Sequence, residues 1–235
     1  IAYATNARRG EIAYCSFENE ISEENVTVYG EYNNLRQHTG TRSIRMISSG
    51  TACQYSKEFG AGVGKLDRTK GYIASVWVNA AYDNQIHNAR LQYQITGTEN
   101  YKSGYCTIRN TDPKFKKYAA GTWHKLDITI PPNVANDGDV LTITCDRIFY
   151  GDDDTKSIYF DDFRVQPLES NLTTYVYDEF NRLTYTLNND NMYMHYLYDN
   201  SSRLRGIFKE VFGPQKESIM SISRHNYSRQ TDMNE

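Results

Sequence analysis

Asp161 is the residue in this sequence that most needs a chemical partner. It lies in a strand-like segment, residues 157–165, in which strict alternation places it on one face with Tyr159, Phe163 and Val165. A carboxylate on an apolar face is costly unless it accepts hydrogen bonds, pairs with a cation or binds a metal ion. We therefore expect a hydrogen-bonded, ion-paired or metal-binding site around Asp161.

Other segments contain residue types that carry chemistry but lack the spacing that the chemistry needs. Residues 60–65 (GAGVGK) look like a phosphate-binding loop, yet Phe59 replaces its first glycine and Leu66 its final Ser or Thr. The acidic run at 151–154 is typical of a solvated loop. No pair of carboxylates stands out as catalytic. No metal-ligand spacing links the five histidines, His38, His87, His124, His195 and His225. The sequence therefore predicts a protein that is not an enzyme.

Regularly spaced apolar segments predict an all-β fold. The chain has 20 Tyr against 9 Phe and 2 Trp, a composition that favours strands over helices. Gly, Pro, Asn and Asp punctuate the gaps between the segments. Strand-like segments without interleaved helices predict a two-sheet sandwich, and their spacing favours a jelly roll. The clearest segments are 43–47, 71–80, 89–96, 104–109, 123–130, 140–145 and 157–165.

Trp77, Gln92 and Gln94 are candidates for a sugar-binding platform. If alternate residues of segment 71–80 face the core, Trp77 faces away from it, and the same argument turns both glutamines away from the core. An aromatic ring stacks on sugar C–H groups, and amides hydrogen-bond to hydroxyls. The alternative is that Trp77 is buried under a loop. Three tyrosines in or near loops are further candidates: Tyr55, Tyr101 and Tyr105.

The whole-chain properties narrow the classes of partner. The net charge is −3 and the basic residues form no stripe, so nucleic-acid binding is not expected. No apolar run is long enough to span a membrane. The sequence starts at Ile1 rather than Met, which predicts a processed or excised product. Without a CxxC pair, the cysteines are either buried hydrophobic residues or two disulfides in any of three pairings: Cys15, Cys53, Cys106 and Cys145.

An internal repeat of 21 residues dominates the last part of the chain. Residues 174–183 (TYVYDEFNRL) recur as 195–204 (HYLYDNSSRL), so the Tyr-Asp and Arg-Leu pairs keep step, and 218–227 is a candidate for a diverged third copy. Each copy predicts strand, turn and strand. The pattern resembles the YD repeats of Rhs-type proteins, whose arrays form β-sheet shells. We therefore predict a second domain, 168–235, a β-hairpin segment with a polar tail that could self-associate or join a larger assembly through its edges.

The first part of the chain resembles the galactose-binding-like jelly rolls, which include many carbohydrate-binding modules. The likeness lies in five motifs in order: 15–19 (CSFEN), 38–44 (HTGTRSI), 72–78 (YIASVWV), 123–126 (WHKL) and 158–163 (IYFDDF). It implies a first domain at 1–167. It also implies a structural calcium ion held by the Glu18 and Asp161 carboxylates and by the carbonyls of Thr39 and Arg42. The alternatives for Asp161 are a salt bridge to Arg42 or Arg45, or hydrogen bonds from loop N–H groups.

These patterns together predict a non-catalytic carbohydrate-binding module of a YD-repeat protein. The resemblances imply a bacterial protein that is secreted or displayed on the cell surface. The second hypothesis is a structural or adhesive part of a larger Rhs-type assembly that binds no sugar. A hydrolase fragment is a distant third.

Overall fold

The computed structural model describes residues 1–18, 25–81, 86–108, 121–148, 156–212 and 217–224, and it is all-β. Within these ranges, two short 3-10 helices cover Arg9–Glu11 and Ile86–Asn88. The strands are β1 (Ala2–Thr5), β2 (Ala13–Cys15), β3 (Val26–Val28), β4 (Glu31–Asn33), β5 (Ser43–Met46), β6 (Gly50–Glu58), β7 (Tyr72–Ala80), β8 (Ala89–Thr96), β9 (Tyr101–Thr107), β10 (Trp123–Ile130), β11 (Val140–Arg147), β12 (Ile158–Pro167), β13 (Asn171–Tyr177), β14 (Leu183–Leu187), β15 (Tyr193–Tyr198), β16 (Leu204–Phe212) and β17 (Glu217–Arg224).

Two of the three sheets form the predicted jelly-roll sandwich. We call the sheet with strand order β3-β6-β11-β8-β9 the open sheet, and β10-β7-β12-β5-β4, with β2 beside β12, the covered sheet. Alternation along each strand builds the core between them. On β11, for example, Leu141, Ile143 and Cys145 are buried while Thr142 and Thr144 face outward. The all-β prediction is confirmed.

A β-bulge changes the predicted faces of β12. Ile158, Phe160, Phe163 and Val165 all point into the core, so the parity of the strand switches between Phe160 and Phe163. The extra residue is accommodated at Asp162, whose φ is +47°, and the register to β7 shifts there. Asp161 shares a face with Tyr159 as predicted, but the prediction that Phe163 and Val165 lie on that face was wrong, because strict alternation does not hold through a bulge.

The third sheet, the hairpin sheet, has the strand order β1-β13-β14-β15-β16-β17. Its first strand comes from the opposite end of the chain, since Ala2 pairs with Thr174 and Thr5 with Asn171. The predicted boundary at residue 167 coincides with the end of β12, but residues 2–5, which were assigned to the sandwich, lie in the hairpin sheet. Residues 225–235, which include the end of the third candidate repeat and the polar tail, lie outside the described residues.

The two repeat copies form turns with the same hydrogen bonds. Asp178 Oδ1 accepts the N–H groups of Phe180 and Arg182, both at 2.9 Å, and Oδ2 accepts Arg182 Nε at 2.7 Å. In the second copy Asp199 Oδ1 accepts the N–H groups of Ser201 and Arg203, and its Oδ2 accepts Arg203 Nε. The Asp and Arg of the repeat therefore close the turn from within, which explains why both recur at a fixed spacing.

A third turn of this geometry, residues 188–192, carries no repeat signature. Asn188 Oδ1 takes the place of the aspartate and accepts the N–H groups of Asp190 and Met192, both at 3.0 Å. The fourth residue of each turn has a positive φ, 58° at Asn181, 59° at Asn191 and 60° at Ser202. The 188–192 turn lies at the other end of the strands, where the hairpin sheet meets the sandwich.

The four cysteines are present as thiols, not as disulfides. Cys15, Cys53 and Cys145 are buried in the sandwich. Burial, followed by a hydrogen bond with Cys53, raises the pKa of Cys145 well above its ordinary value.

Among the described residues, no helix has the length and hydropathy needed to cross a bilayer.

Candidate binding face

The outer face of the open sheet carries a row of polar side chains that crosses all five strands. Strand register aligns Thr27 with Gln54, Gln54 with Thr144, Thr144 with Gln92, and Gln92 with Tyr105. Side chains at paired positions share one face. Four spacings between neighbouring strands give this row a length of roughly 19 Å. The row is therefore long enough to contact several units of a linear ligand.

A groove of about 560 Å³ lies over this face, and one end of it is held by an ion pair. Asp146 Oδ2 accepts Arg90 Nη2 at 2.9 Å and the Thr144 hydroxyl at 3.0 Å, while its Oδ1 accepts the Thr51 hydroxyl at 3.0 Å. These bonds fix the carboxylate and the guanidinium as a preorganised polar end of the groove.

Gln92 and Gln94 line the middle of the groove, and the structure gives their amides no internal role. Both side chains are half-buried, and none of the side chains or backbone groups in the described ranges hydrogen-bonds to them. Each amide offers two donor hydrogens and an acceptor oxygen. They are therefore free to bond to a ligand that presents hydroxyl groups.

Two tyrosines on β9, the edge strand of the open sheet, flank the glutamines. Tyr105 pairs with Gln92 and is 65% exposed, and Tyr101 pairs with Thr96 and is 62% exposed. The third tyrosine named from the sequence, Tyr55, is completely buried and cannot contact a ligand. The exposed rings put apolar surface beside unpaired amides, the combination that a sugar-binding site uses.

Trp77 does not belong to this face. It points away from the core as predicted, but it does so from β7 of the covered sheet, on the opposite side of the sandwich from Gln92 and Gln94. Trp77 is completely buried: its indole Nε1 donates to the Asn191 carbonyl of the hairpin sheet at 2.6 Å, and the ring of His38, in the loop before β5, stacks on it. The predicted platform of Trp77 with both glutamines was therefore wrong. The sequence does not show that the covered sheet has a third sheet on its outer face.

His38 is the centre of the buried contact between the sandwich and the hairpin sheet. Its Nδ1 lies 2.8 Å from Asp162 Oδ2 on β12, and its Nε2 lies 2.9 Å from Glu210 Oε1 on β16. The ring stacks on Trp77 with centroids 4.0 Å apart, and the rings of Trp123 and Tyr193 contact it edge-on. Burial alone would lower the pKa of His38, but the bonds to both carboxylates raise it to about 10. The imidazole is therefore a cation that joins the two sheets.

Further hydrogen bonds tie the 188–192 turn to the covered sheet. Arg164 Nη1 donates to the Asn188 carbonyl at 2.6 Å, and Asn191 Nδ2 donates to the Asp162 carbonyl at 2.8 Å. Burial lowers the pKa of Arg164 to about 10. The hairpin sheet is thus held by polar contacts at one turn and by the His38 cation nearby.

The structure brings the predicted calcium ligands to one turn, residues 38–42. Glu18 accepts the N–H groups of Thr41 and Arg42 at 2.9 and 3.1 Å, and Asp161 accepts those of His38 and Thr39 at 2.7 and 3.3 Å. The alternative of hydrogen bonds from loop N–H groups to Asp161 is therefore realised. A Cβ at residue 40 would overlap the Glu18 carboxylate, and Gly40, with a φ of +66°, leaves that space open.

The electrostatics of these carboxylates fit a cation. Burial raises the pKa of Glu18, and burial followed by the neighbouring Asp162 charge raises that of Asp161 well above its ordinary value. Within the described ranges, no cluster of three or more His, Cys, Asp or Glu side chains could hold a metal ion. The residues fit calcium in charge and oxygen donors only if backbone carbonyls, such as those of Thr39 and Arg42, complete the set.

Sequence comparison finds no matching family model and no matching curated protein. Comparison of structures finds many similar chains, including the following three. The CBM22-1 xylan-binding domain from Paenibacillus barcinonensis is 15% identical over 69% of this chain and 97% of its own, with a TM-score of 0.41. The C-terminal family 22 carbohydrate-binding module of Clostridium thermocellum Xyn10B is 12% identical over 69% and 98%, with a TM-score of 0.41. A family 16 carbohydrate-binding module is 11% identical over 57% and 82%, with a TM-score of 0.36. TM-scores below 0.5 decide neither the family nor the ligand of this chain.

Proposed function

We propose that this chain is a non-catalytic carbohydrate-binding protein, and that the glycan lies across the outer face of the open sheet. The row that runs from Thr27 through Gln92 to Tyr105 carries this proposal. Amides without internal partners, an ion pair fixed at one end and exposed aromatic rings at the edge match the chemistry of a sugar chain, which is rich in hydroxyls and has apolar C–H patches. The length of the row favours an oligosaccharide over a single sugar.

The carboxylates of this face support binding rather than hydrolysis. Asp146 is paired with Arg90, and Glu58 with Lys65 at 2.6 Å. Asp146 and the partner of Glu58 on β11, Val140, are six residues apart, so the two carboxylates are separated by roughly 20 Å. Glycosidases need their two carboxyl groups about 5–9.5 Å apart. Among the described residues of this face, these two therefore do not form a glycosidase pair.

A glycan array with the full chain, followed by calorimetry on the best ligand, tests the proposal. We expect Tyr105→Ala to weaken binding by roughly tenfold, because an aromatic contact contributes about 1.5 kcal/mol. Gln92→Ala should weaken it as well. The matched control is Tyr3→Ala on the hairpin sheet, where Tyr3 is 62% exposed, and it should bind like the unaltered chain. Silence across a broad panel, or equal losses for Tyr105→Ala and Tyr3→Ala, would contradict the proposal.

The second function we propose is structural: a part of a larger YD-repeat assembly. The observation that favours it is the identical closure of the Asp178 and Asp199 turns by an arginine four residues later. A secreted or cell-surface location in a bacterium accompanies this proposal, and its support is the resemblance of the repeats. The two functions are compatible, since the glycan-binding face and the hairpin sheet lie on opposite sides of the sandwich.

We also propose that a structural calcium ion binds at the 38–42 turn. Glu18 and Asp161 would hold it together with the carbonyls of Thr39 and Arg42. Calcium should then raise the thermal midpoint relative to excess chelator, because a ligand at 100 times its Kd adds roughly 2.7 kcal/mol to the free energy of unfolding. Glu18→Gln and Asp161→Asn should each remove this shift, whereas Asp178→Asn, in a hairpin turn, should retain it. Identical midpoints with calcium and with chelator would refute the calcium site.

A further inference from the structure

The outer edge of β1 ends the hairpin sheet with unused backbone groups. Ile1 and Tyr175 exchange N–H to O=C bonds of 3.1 and 2.8 Å, which makes them a hydrogen-bonded pair. In an antiparallel ladder such pairs alternate, so Tyr3 and Thr5 also bond to β13 while Ala2 and Ala4 direct their N–H and C=O groups away from it. In the described part of the chain no group pairs with those of Ala2 and Ala4. This edge can accept another strand.

An apolar groove of about 540 Å³ runs beside the same edge. Seven of the eight residues that line it are small, apolar or aromatic, and the eighth is Arg9: Ile1, Ala2, Ala4, Ala7, Arg9, Ile12, Ala13 and Tyr14. The Tyr14 hydroxyl donates to Asp162 at 3.0 Å, so its polar end is already bonded. Ala13 and Tyr14 belong to β2, which among the described strands pairs only with β12 and therefore lies at the edge of the covered sheet. The groove thus lies between the edges of two sheets.

This groove continues the contact that already joins the hairpin sheet to the sandwich. Ala2 and Ala4 pair with Thr174 and Leu172 and so share their face, and Thr174 pairs in turn with Leu187. Thr174, Leu172 and Leu187 are completely buried. At β1 the same face is only partly covered, with Ala2 exposed and Ala4 half-buried. The face of the hairpin sheet that packs on the sandwich is therefore left partly uncovered at β1, where one more strand would fit.

We propose that the β1 edge and its groove bind one extended strand from another polypeptide. The strand carries apolar side chains at every second position, as β13 does with Leu172 and Val176, and polar side chains between them. Its backbone bonds to Ala2 and Ala4, and its apolar side chains fill the groove. A strand with basic side chains on the groove side is excluded, because Arg9 lines the groove and none of the other lining side chains is charged. This binding surface is separate from the open sheet and does not depend on sugar binding.

The test uses the full chain and a labelled, end-capped peptide with the sequence of residues 171–177 (NLTTYVY). We expect saturable binding by fluorescence anisotropy, and a loss of tenfold or more when the peptide is N-methylated at alternate residues. Ala4→Pro should cause a similar loss, because it removes an outward N–H at an edge position where proline is tolerated. Ala4→Glu should also weaken binding, whereas Thr5→Glu, which adds the same charge on the opposite face of β1, should not. Unchanged thermal midpoints identify folded variants.

Three results would overturn the inference. The first is a lack of saturable binding up to peptide concentrations of about 1 mM, a Kd that corresponds to about −4 kcal/mol. The second is equal binding by the unaltered chain, Ala4→Pro and Ala4→Glu. The third is a dimer of the chain that Ala4→Pro dissociates, because a second copy of β1 would then occupy the edge.

Discussion

Replacing His38 with alanine is expected to lower the free energy of unfolding by about 3–5 kcal/mol, because it leaves the buried carboxylates of Asp162 and Glu210 without their shared cation. The loss should fall on the contact between the sheets, since His38 bonds to Asp162 on β12 with one nitrogen and to Glu210 on β16 with the other. Urea unfolding followed by tryptophan fluorescence measures it, because Trp77 lies directly against the His38 ring.

His195→Ala is the matched control for this prediction. His195 also stacks on an aromatic ring, that of Tyr185 at 4.4 Å, but the structure pairs it with no carboxylate in the described part of the chain. Replacing His195 should lower the free energy of unfolding clearly less than replacing His38 does. A double-mutant cycle of His38→Ala with Glu210→Gln should show a coupling energy of about 0.5–3 kcal/mol. Additive effects of the two substitutions would contradict a direct interaction.

The same residue predicts a pH dependence with a definite sign. The pKa of His38 is raised from its ordinary value to about 10. The stabilising contribution of the protonated ring is therefore complete below about pH 6.5 and is lost as the pH rises through about 10. The unaltered chain should therefore lose more stability between pH 7 and 10 than His38→Gln does. Groups that do not contact His38 titrate equally in both proteins, so the difference between the two curves reports His38 together with the carboxylates whose charge it compensates.

Replacing Trp77 with alanine should lower the free energy of unfolding by about 3–5 kcal/mol, the cost of removing a large buried aromatic side chain. Trp77 is completely buried, and its Nε1 donates to the Asn191 carbonyl of the 188–192 turn. Trp77→Phe retains most of the packing but leaves that carbonyl without its donor, so we expect a smaller loss of about 1–3 kcal/mol. Thermal and urea unfolding of both variants measure these costs.

Tyr105→Ala is the complementary control, because it should alter stability by no more than about 0.5 kcal/mol while it weakens glycan binding. Trp77→Phe should show the opposite behaviour, with reduced stability and unchanged glycan affinity at temperatures where it is folded. Loss of glycan affinity in folded Trp77→Phe would place the sugar on the covered sheet and refute the binding face proposed here.

Alternation and repetition in the sequence predict most of the strands and the repeat turns, because these features depend on neighbouring residues. The faces of Trp77, Gln92 and Gln94 relative to the core follow from period-two alternation in the same way. Alternation does not predict which segments pack on the outer face of each sheet. Trp77 is covered by residue 191, and whether a sheet's outer face is wet or buried depends on the packing of distant segments.

The bulge at Asp162 and the role of Glu210 show the same limit. One inserted residue switches the faces of β12, and the sequence around it, YFDDFR, carries no glycine to mark a positive φ. Glu210 lies 172 residues from His38, within an ordinary strand sequence. A hydrogen bond over that separation leaves no local pattern. The sequence named Tyr105 only as one of three tyrosines in or near loops. What singles it out from the buried Tyr55 is the pairing of β9 with β8 in the register that places Tyr105 opposite Gln92.

The pairing of β1 with β13 has a consequence for the order of folding. Thr5 and Asn171 are paired, so joining these strands closes a loop that contains the entire sandwich, on the order of 165 residues. During synthesis β1 emerges first, but its partner strand emerges only after the whole sandwich has been made. A sandwich that folds as it is synthesised therefore exposes the surface around Trp77 and Asp162 to solvent until the hairpin sheet is made. A chaperone that recognises exposed aromatic surface can bind there until the hairpin sheet docks and buries that surface.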